Sequence, residues 1–233
     1  MAITVYYGHT DNRLGFDLEP VKDYINKNIL NTSGMKNTLL ISCPAFKDEI
    51  NNTFVVKSIY DYNIKWDGEN ITSSMYDQDF FNRFLTIRSI SDGFISYLSP
   101  TPIFVAESND LVMSQINAQF HDNDIVNKCI MIPGTFNIGK HLPRKIELAI
   151  KFKQPGEIKI NEGDALFYVK FLTEEKILFK KFIWSDELER LTIKNLEIRN
   201  YTRSIKSMQW WYNFMSQHNL KKYYLTRIKQ HLI

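Results

Sequence analysis

The chain has 233 residues, 44% of them hydrophobic, 24% charged and 14% aromatic. A chain of this length and balance buries about 70% of the surface it exposes when unfolded, which excludes an intrinsically disordered segment. The net charge of +3 is unevenly placed: Asn200–Ile233 carries Arg203, Lys206, Lys221, Lys222, Arg227 and Lys229 and no acidic residue, which leaves −3 on residues 1–199.

Two cysteines, Cys43 and Cys129, are too few for a disulfide framework or a zinc site, so two buried free thiols are expected. No run approaches the roughly 18 apolar residues of a spanning helix, and the N-terminus lacks the basic-then-apolar pattern of a secretory signal. The expectation is a cytoplasmic protein with no membrane partner. Frequent Ile, Asn and Lys with scarce Ala reflect AT-rich codons and fit a bacterial or phage source.

Ile3–Tyr7 and Thr38–Cys43 read as short strands, joined by a turn-rich connection that follows a short helix near Val21–Ile29. Asn52–Trp66 reads as one long strand, and the Asp67-Gly68 turn folds it back on Ile71–Ser74 as a hairpin. Phe80, Phe81 and Phe84 have helical spacing, which predicts a short helix over Gln78–Phe84. Strands follow over Leu85–Ile90, Gly93–Leu98, Pro102–Ala106, Asn127–Ile132, Lys145–Lys153, Asp164–Phe171 and Lys176–Trp184. Short strands punctuated by turns predict a mainly β fold of β-clip, jelly-roll or sandwich type, in which alternating side chains enclose one apolar interior.

After Trp184 the pattern turns helical. Ser185 can cap a helix whose first turn holds Asp186 and Glu187, and a second helical region over Ser204–Ser216 precedes the stripe Leu220, Tyr224 and Ile228. Residues 1–184 are therefore expected to form a β-rich domain, with residues 185–233 a helical basic-aromatic segment packed on it.

Between Met131 and Phe182 a Pro-Gly turn, a loop, a polar-apolar strand and then Ile158–Asp164 lead straight into Leu166–Phe171. This order resembles the β-clip fold of dUTPase-like and dCTP-deaminase-like proteins, in which a Gly-Asp turn joins two core strands. In that family a carboxylate shortly after the loop glycine activates water. Here Gly134-Thr-Phe-Asn137-Ile-Gly139 offers an amide, which cannot act as a general base, and no Tyr follows. The resemblance implies a non-catalytic relative, or one whose chemistry has moved. CPAF at Cys43–Phe46, NTFVVKS at Asn52–Ser58 and the PGTFNIGKHLPR segment also resemble proteins of large tailed phages of the cyanophage type.

Three constellations bear on chemistry. His121 and Asp122 in FHDND suggest a facial-triad metal site, but the residue two after His121 is Asn123, so a polar loop is the better reading. Asn137, His141, Arg144 and Asp164 form the small-ligand candidate: Arg with a nearby His can grip a phosphate or carboxylate, whereas the plain alternative is a surface loop and a turn. Lys206, Trp210, Trp211, Lys221, Lys222, Tyr224 and Arg227 combine phosphate attraction with base stacking, as a nucleic-acid or partner surface would, against the alternative of a helix with its aromatic residues packed inward. No cofactor, metal or catalytic motif is complete. The expected function is a non-enzymatic, phage-encoded binding or assembly protein of host cytoplasm or virion that works through a protein partner or self-association. A nucleotide-binding hydrolase, and nucleic-acid binding through the C-terminal segment, are the alternatives.

Overall fold

A computed structural model describes residues 2–10, 17–30, 43–96, 101–140, 143, 145–203, 206–207, 210, 213–214 and 220–233. The fold is mainly β, with four sheets among the described residues and a helix close to the C-terminus.

Strand β1 (Ala2–His9) is the centre of the first sheet, between β8 (Pro102–Ala106), antiparallel to it, and β15 (Lys176–Lys181), parallel to it. The first strand of the chain is thus paired with the last. The second sheet runs β10 (Cys129–Met131), β12 (Ala149–Phe152), β7 (Phe94–Ser96) and β6 (Thr86–Ser89). The third runs β11 (Gly134–Asn137), β9 (Val112–Ile116), β14 (Ala165–Phe171), β3 (Thr53–Lys57) and β2 (Glu19–Pro20). The fourth holds β13 (Gly156–Ile160), β4 (Tyr62–Trp66) and β5 (Ile71–Thr72).

The expected long strand Asn52–Trp66 is two strands in two sheets. The chain leaves the third sheet at Ser58 and joins the fourth at Tyr62, and β13 to β14 makes the same crossing in reverse through a turn in which Gly163 takes φ +88°. The two crossings are bonded together: Ser58 N–H donates to Asp164 O at 2.8 Å, and Gly163 N–H donates to Ser58 O at 2.8 Å. A strand that switches sheets at a corner lets one continuous pattern of β-formers serve two layers, which side-chain alternation alone does not reveal. At another corner Gly93 (φ +58°) lies under Trp66, where a Cβ would stand 2.7 Å from the indole.

Strand β9 was not anticipated, because Ser114 and Gln115 break its apolar run; Gln115 is nonetheless buried, its amide donating to Glu147 O at 3.0 Å. Gly134–Asn137, expected as a ligand loop, pairs with β9 as a strand. The strand expected over Asn127–Ile132 begins at Cys129. A helical turn capped by Asn123 precedes it: α4 (Asp124–Lys128). The shorter helices before it are α1 (Val21–Ile25), α2 (Pro44–Ile50) and α3 (Gln78–Phe84). The strand proposed over Thr38–Cys43 falls, apart from Cys43, outside the described residues, as does most of the helix proposed over Ser204–Ser216.

The interior is three clusters instead of one. The largest fills the space between the sheets, with Val5, Tyr7, Ile64, Ile95, Phe104, Ile150, Phe167 and Val169 among its members. A second lies on the other face of β1 and β8, where Tyr6, Ile103 and Val105 meet Leu188 of α5 (Asp186–Arg203) and Tyr224 and Ile228 of α6 (Leu220–Gln230). A third lies outside the five-stranded sheet, where Val55 and Tyr168 meet Val21 and Ile25 of α1 and Ile50 of α2. Two sheets are therefore covered on both faces, which is why β8 and most of β14 are buried without alternation.

The C-terminal helix is part of the body. Its stripe Tyr224 and Ile228 points inward as the spacing predicted, and the chain end bonds back to β15 through Ile183 N–H to His231 O (2.9 Å) and Ile233 N–H to Lys181 O (3.1 Å). Ser185 caps α5, its Oγ accepting from Leu188 N–H at 3.4 Å, with Asp186, Glu187 and Glu189 in the first turn.

Candidate partner-binding face

The small-ligand candidates do not converge. Asn137 ends β11 opposite Val112, and its Oδ1 accepts from Lys140 N–H at 2.8 Å, which is a turn contact. Asp164 precedes β14, where its Oδ2 accepts from Asn161 N–H at 2.7 Å. Val112 lies beside the Phe171 end of β14, so Asn137 and Asp164 sit at opposite ends of a seven-residue strand, roughly 20 Å apart. His141 and Arg144 fall outside the described residues.

The C-terminal cations mostly serve the fold. Lys221 Nζ donates to Glu107 O (3.1 Å), Ser108 O (2.9 Å) and Asn109 Oδ1 (3.1 Å), and burial lowers its pKa. Arg227 pairs with Glu187 at 3.2 Å, and Tyr224 is buried. Lys229 pairs with Glu107 at 2.7 Å, and Tyr6 donates its hydroxyl to the same carboxylate at 2.6 Å. Those two hydrogen bonds hold Glu107 below the usual carboxylate range. Lys222 is exposed; Lys206 lies 5.6 Å from the Trp210 ring, which stacks on Phe214 at 5.3 Å. Trp211 is outside the described residues. A surface for nucleic acid would need these groups to face solvent together, and Tyr224 is buried while Lys221 and Arg227 are bonded to other groups of the fold.

Two histidines are buried in different ways. His121 stacks on Tyr24 with centroids 3.7 Å apart, and its Nδ1 lies 2.7 Å from the Tyr168 hydroxyl. That hydroxyl also accepts from Phe120 N–H at 3.3 Å. Burial pulls the pKa of His121 down to about 4. Asp122, weighed as a metal ligand, instead accepts from Asn127 Nδ2 at 2.7 Å. His9 is 7% exposed and neither ring nitrogen has a hydrogen-bond partner among the described residues; burial, then the nearby Lys181, lowers its pKa to about 4. Among the described residues no three His, Cys, Asp or Glu side chains are grouped to hold a metal ion, and no helix is long and apolar enough to cross a membrane.

The outer face of the second sheet stands apart. Cys129 and Met131 of β10 point into the main cluster, whereas Ile130 and the following Ile132 are 52% and 44% exposed. Ile130 stands opposite Lys151, and Ile132 bonds to Ala149. Lys128 and Lys153 extend the same face at one end, bonded to each other through Lys153 N–H to Lys128 O at 2.9 Å. Beside them lies a cleft of about 390 Å³, lined by Phe152, Pro155 and Glu157 as well as the two lysines. Each cation of this region has its own anion or carbonyl: Lys128 with Asp124 (3.0 Å), Lys151 with Asp92 (3.0 Å), Arg88 with Glu147 (3.5 Å), and Lys153 with Asn127 O (2.8 Å). A hydrogen bond from Ser89, then the bond and charge of Lys151, hold the Asp92 carboxyl below the usual range.

Sequence reasoning passed over Ile130 and Ile132 because Cys-Ile-Met-Ile reads as a strand buried on both faces. A scan against family models, a search of curated proteins and a search of solved structures each find no match to this chain.

Proposed function

We propose that this chain is a non-enzymatic binding or assembly protein that acts through a protein contact on the face carrying Ile130 and Ile132. The carrying observation is that these two aliphatic side chains are exposed on an edge strand, with three of the four cations around them paired to carboxylates. Exposed aliphatic groups cost free energy in water, and a rim of paired charges around an apolar centre is the anatomy of a protein interface. The codon bias and the local resemblances to tailed-phage proteins support a phage origin, with action in host cytoplasm or virion.

A photo-crosslinking side chain placed at Ile130 or Ile132 tests this, with Lys65 on the fourth sheet as the control position. The expected result is one discrete cross-linked species from either face position in extract of the source cells, none from Lys65, and loss of the Ile132 product when Ile130→Asp is added. Equal labelling from all three positions overturns the proposal.

A further inference from the structure

We infer that the occupant of this face is a second copy of the chain, added edge to edge along β10 about a two-fold axis at Ile130; the inference rests on the contact proposed above. In an antiparallel ladder, alternate residues turn their main-chain groups to alternate sides. Lys128 and Ile132 bond toward β12, through Lys153 N–H to Lys128 O at 2.9 Å and Ile132 N–H to Ala149 O at 2.8 Å. The main-chain groups of Cys129 and Met131 therefore point to the open edge. Cys129 N–H turns back to Ile125 O, which leaves the Cys129 carbonyl and both main-chain groups of Met131.

A two-fold axis at Ile130 sets Cys129 of one copy opposite Met131 of the other. Each Met131 N–H then donates to the Cys129 carbonyl across the axis, two equivalent bonds that use the one free donor each copy's edge offers. On the outer face Ile130 meets its own copy, and Ile132 meets the aliphatic stem of Lys128.

Three of the other edge strands carry guards of their own. β2 carries Pro20, β6 has a register shift between Ile87 and Ser89, and β15 presents Lys176, Lys180 and Lys181. Pro133 follows Ile132 and has no N–H, so the added ladder stays short and the assembly closes at two copies. The charges favour a like partner as well. Lys128, Lys151 and Arg88 are paired with Asp124, Asp92 and Glu147, while Lys153 is bonded to carbonyls, so the face carries only a weak field, which suits a copy of itself better than a strongly charged ligand.

The test is disulfide trapping of the full chain with the exposed Cys43 changed to Ser, alongside sedimentation of the wild type. Cys129 is no competitor, because burial pushes its thiol up to about 12. Directly opposed residues at a non-bonded position have Cα atoms about 4.5 Å apart, within disulfide reach, so Ile130→Cys is expected to cross-link to its own copy within minutes of mild oxidation. Ile132→Cys alone stays uncross-linked, since its two copies lie about 14 Å apart along the strands. The pair Lys128→Cys with Ile132→Cys cross-links.

Ile130→Asp, which sets two carboxylates face to face, is expected to weaken dimerisation at least tenfold while leaving the melting profile in place. A monomer up to about 100 μM overturns the inference. So does a dimer that Ile130→Asp leaves untouched, or cross-linking of Ile132→Cys in preference to Ile130→Cys. If the wild type is monomeric but photo-cross-links at Ile130 to a different protein, the second copy is excluded and the proposed contact stands.

Discussion

Strands β8 and β10 are both short uninterrupted apolar runs on β1 and β12 respectively, yet they differ in what lies beyond them. β8 has its Phe104 face against the main cluster, and its Ile103 and Val105 face is roofed by Leu188, Tyr224 and Ile228 from the two C-terminal helices. β10 has Cys129 and Met131 against the same main cluster, but its Ile130 face meets solvent. The comparison separates apolar surface that the chain covers for itself from apolar surface that it leaves for something else. Only the first kind contributes to the stability of the monomer, because the hydrophobic gain follows area removed from water.

The largest effect is expected from breaking the covered side. Ile228→Asp places an unpaired carboxylate in a fully buried site and should cost more than about 4 kcal/mol, read as loss of the folded baseline in urea titration. If this variant melts like wild type, the C-terminal helix is not part of the core.

Next comes the acid limb. His9 has a folded-state value of about 4 against the ordinary 6.5, so between these pH values the unfolded chain holds a proton that the folded chain refuses. Stability is then complete above pH 6.5 and falls by about 3 kcal/mol as pH drops to 4. His9→Leu should flatten that slope in urea midpoints measured across the same range, and an unchanged slope would remove His9 as its source. His121, lowered to about 4 by burial, slopes the same way.

A smaller change is expected where the helix is tied down electrostatically. Glu107→Gln removes the anion shared by Lys229 and Tyr6 on a half-exposed surface and should cost about 1 kcal/mol, less in high salt. Equal destabilisation in low and high salt would show that packing, not charge, holds α6 there. The smallest effect belongs to the open face: Ile130→Asp should stay within about 0.5 kcal/mol of wild type in denaturation at monomer concentrations. A large loss there would mean that the isoleucine is structural and would erase the contrast with β8.

Local chemistry was legible wherever a residue acts on its own neighbours. Ser185 and the acidic turn after it mark the start of α5, and the spacing of Tyr224 and Ile228 gives the inward stripe of α6. The Asp67-Gly68 turn gives the β4–β5 hairpin. What failed to be legible depends on distant partners. Nothing around Ser58 announces that it bonds to Gly163 and Asp164 and so splits Asn52–Trp66 between two sheets. Asp164 and Asn137 looked alike as polar loop residues, and only strand order separates them by the length of β14.

The sequence by itself determined that the chain is mainly β, that its end turns helical, and which turns break its strands, because alternation, capping and turn chemistry act over a few residues. Tertiary structure decided which apolar strands are covered and which are not. Ile103 and Ile130 are equally greasy in the sequence; one lies under α5 and α6, and the other lies under water, because a side chain's burial is set by what the rest of the chain packs over it.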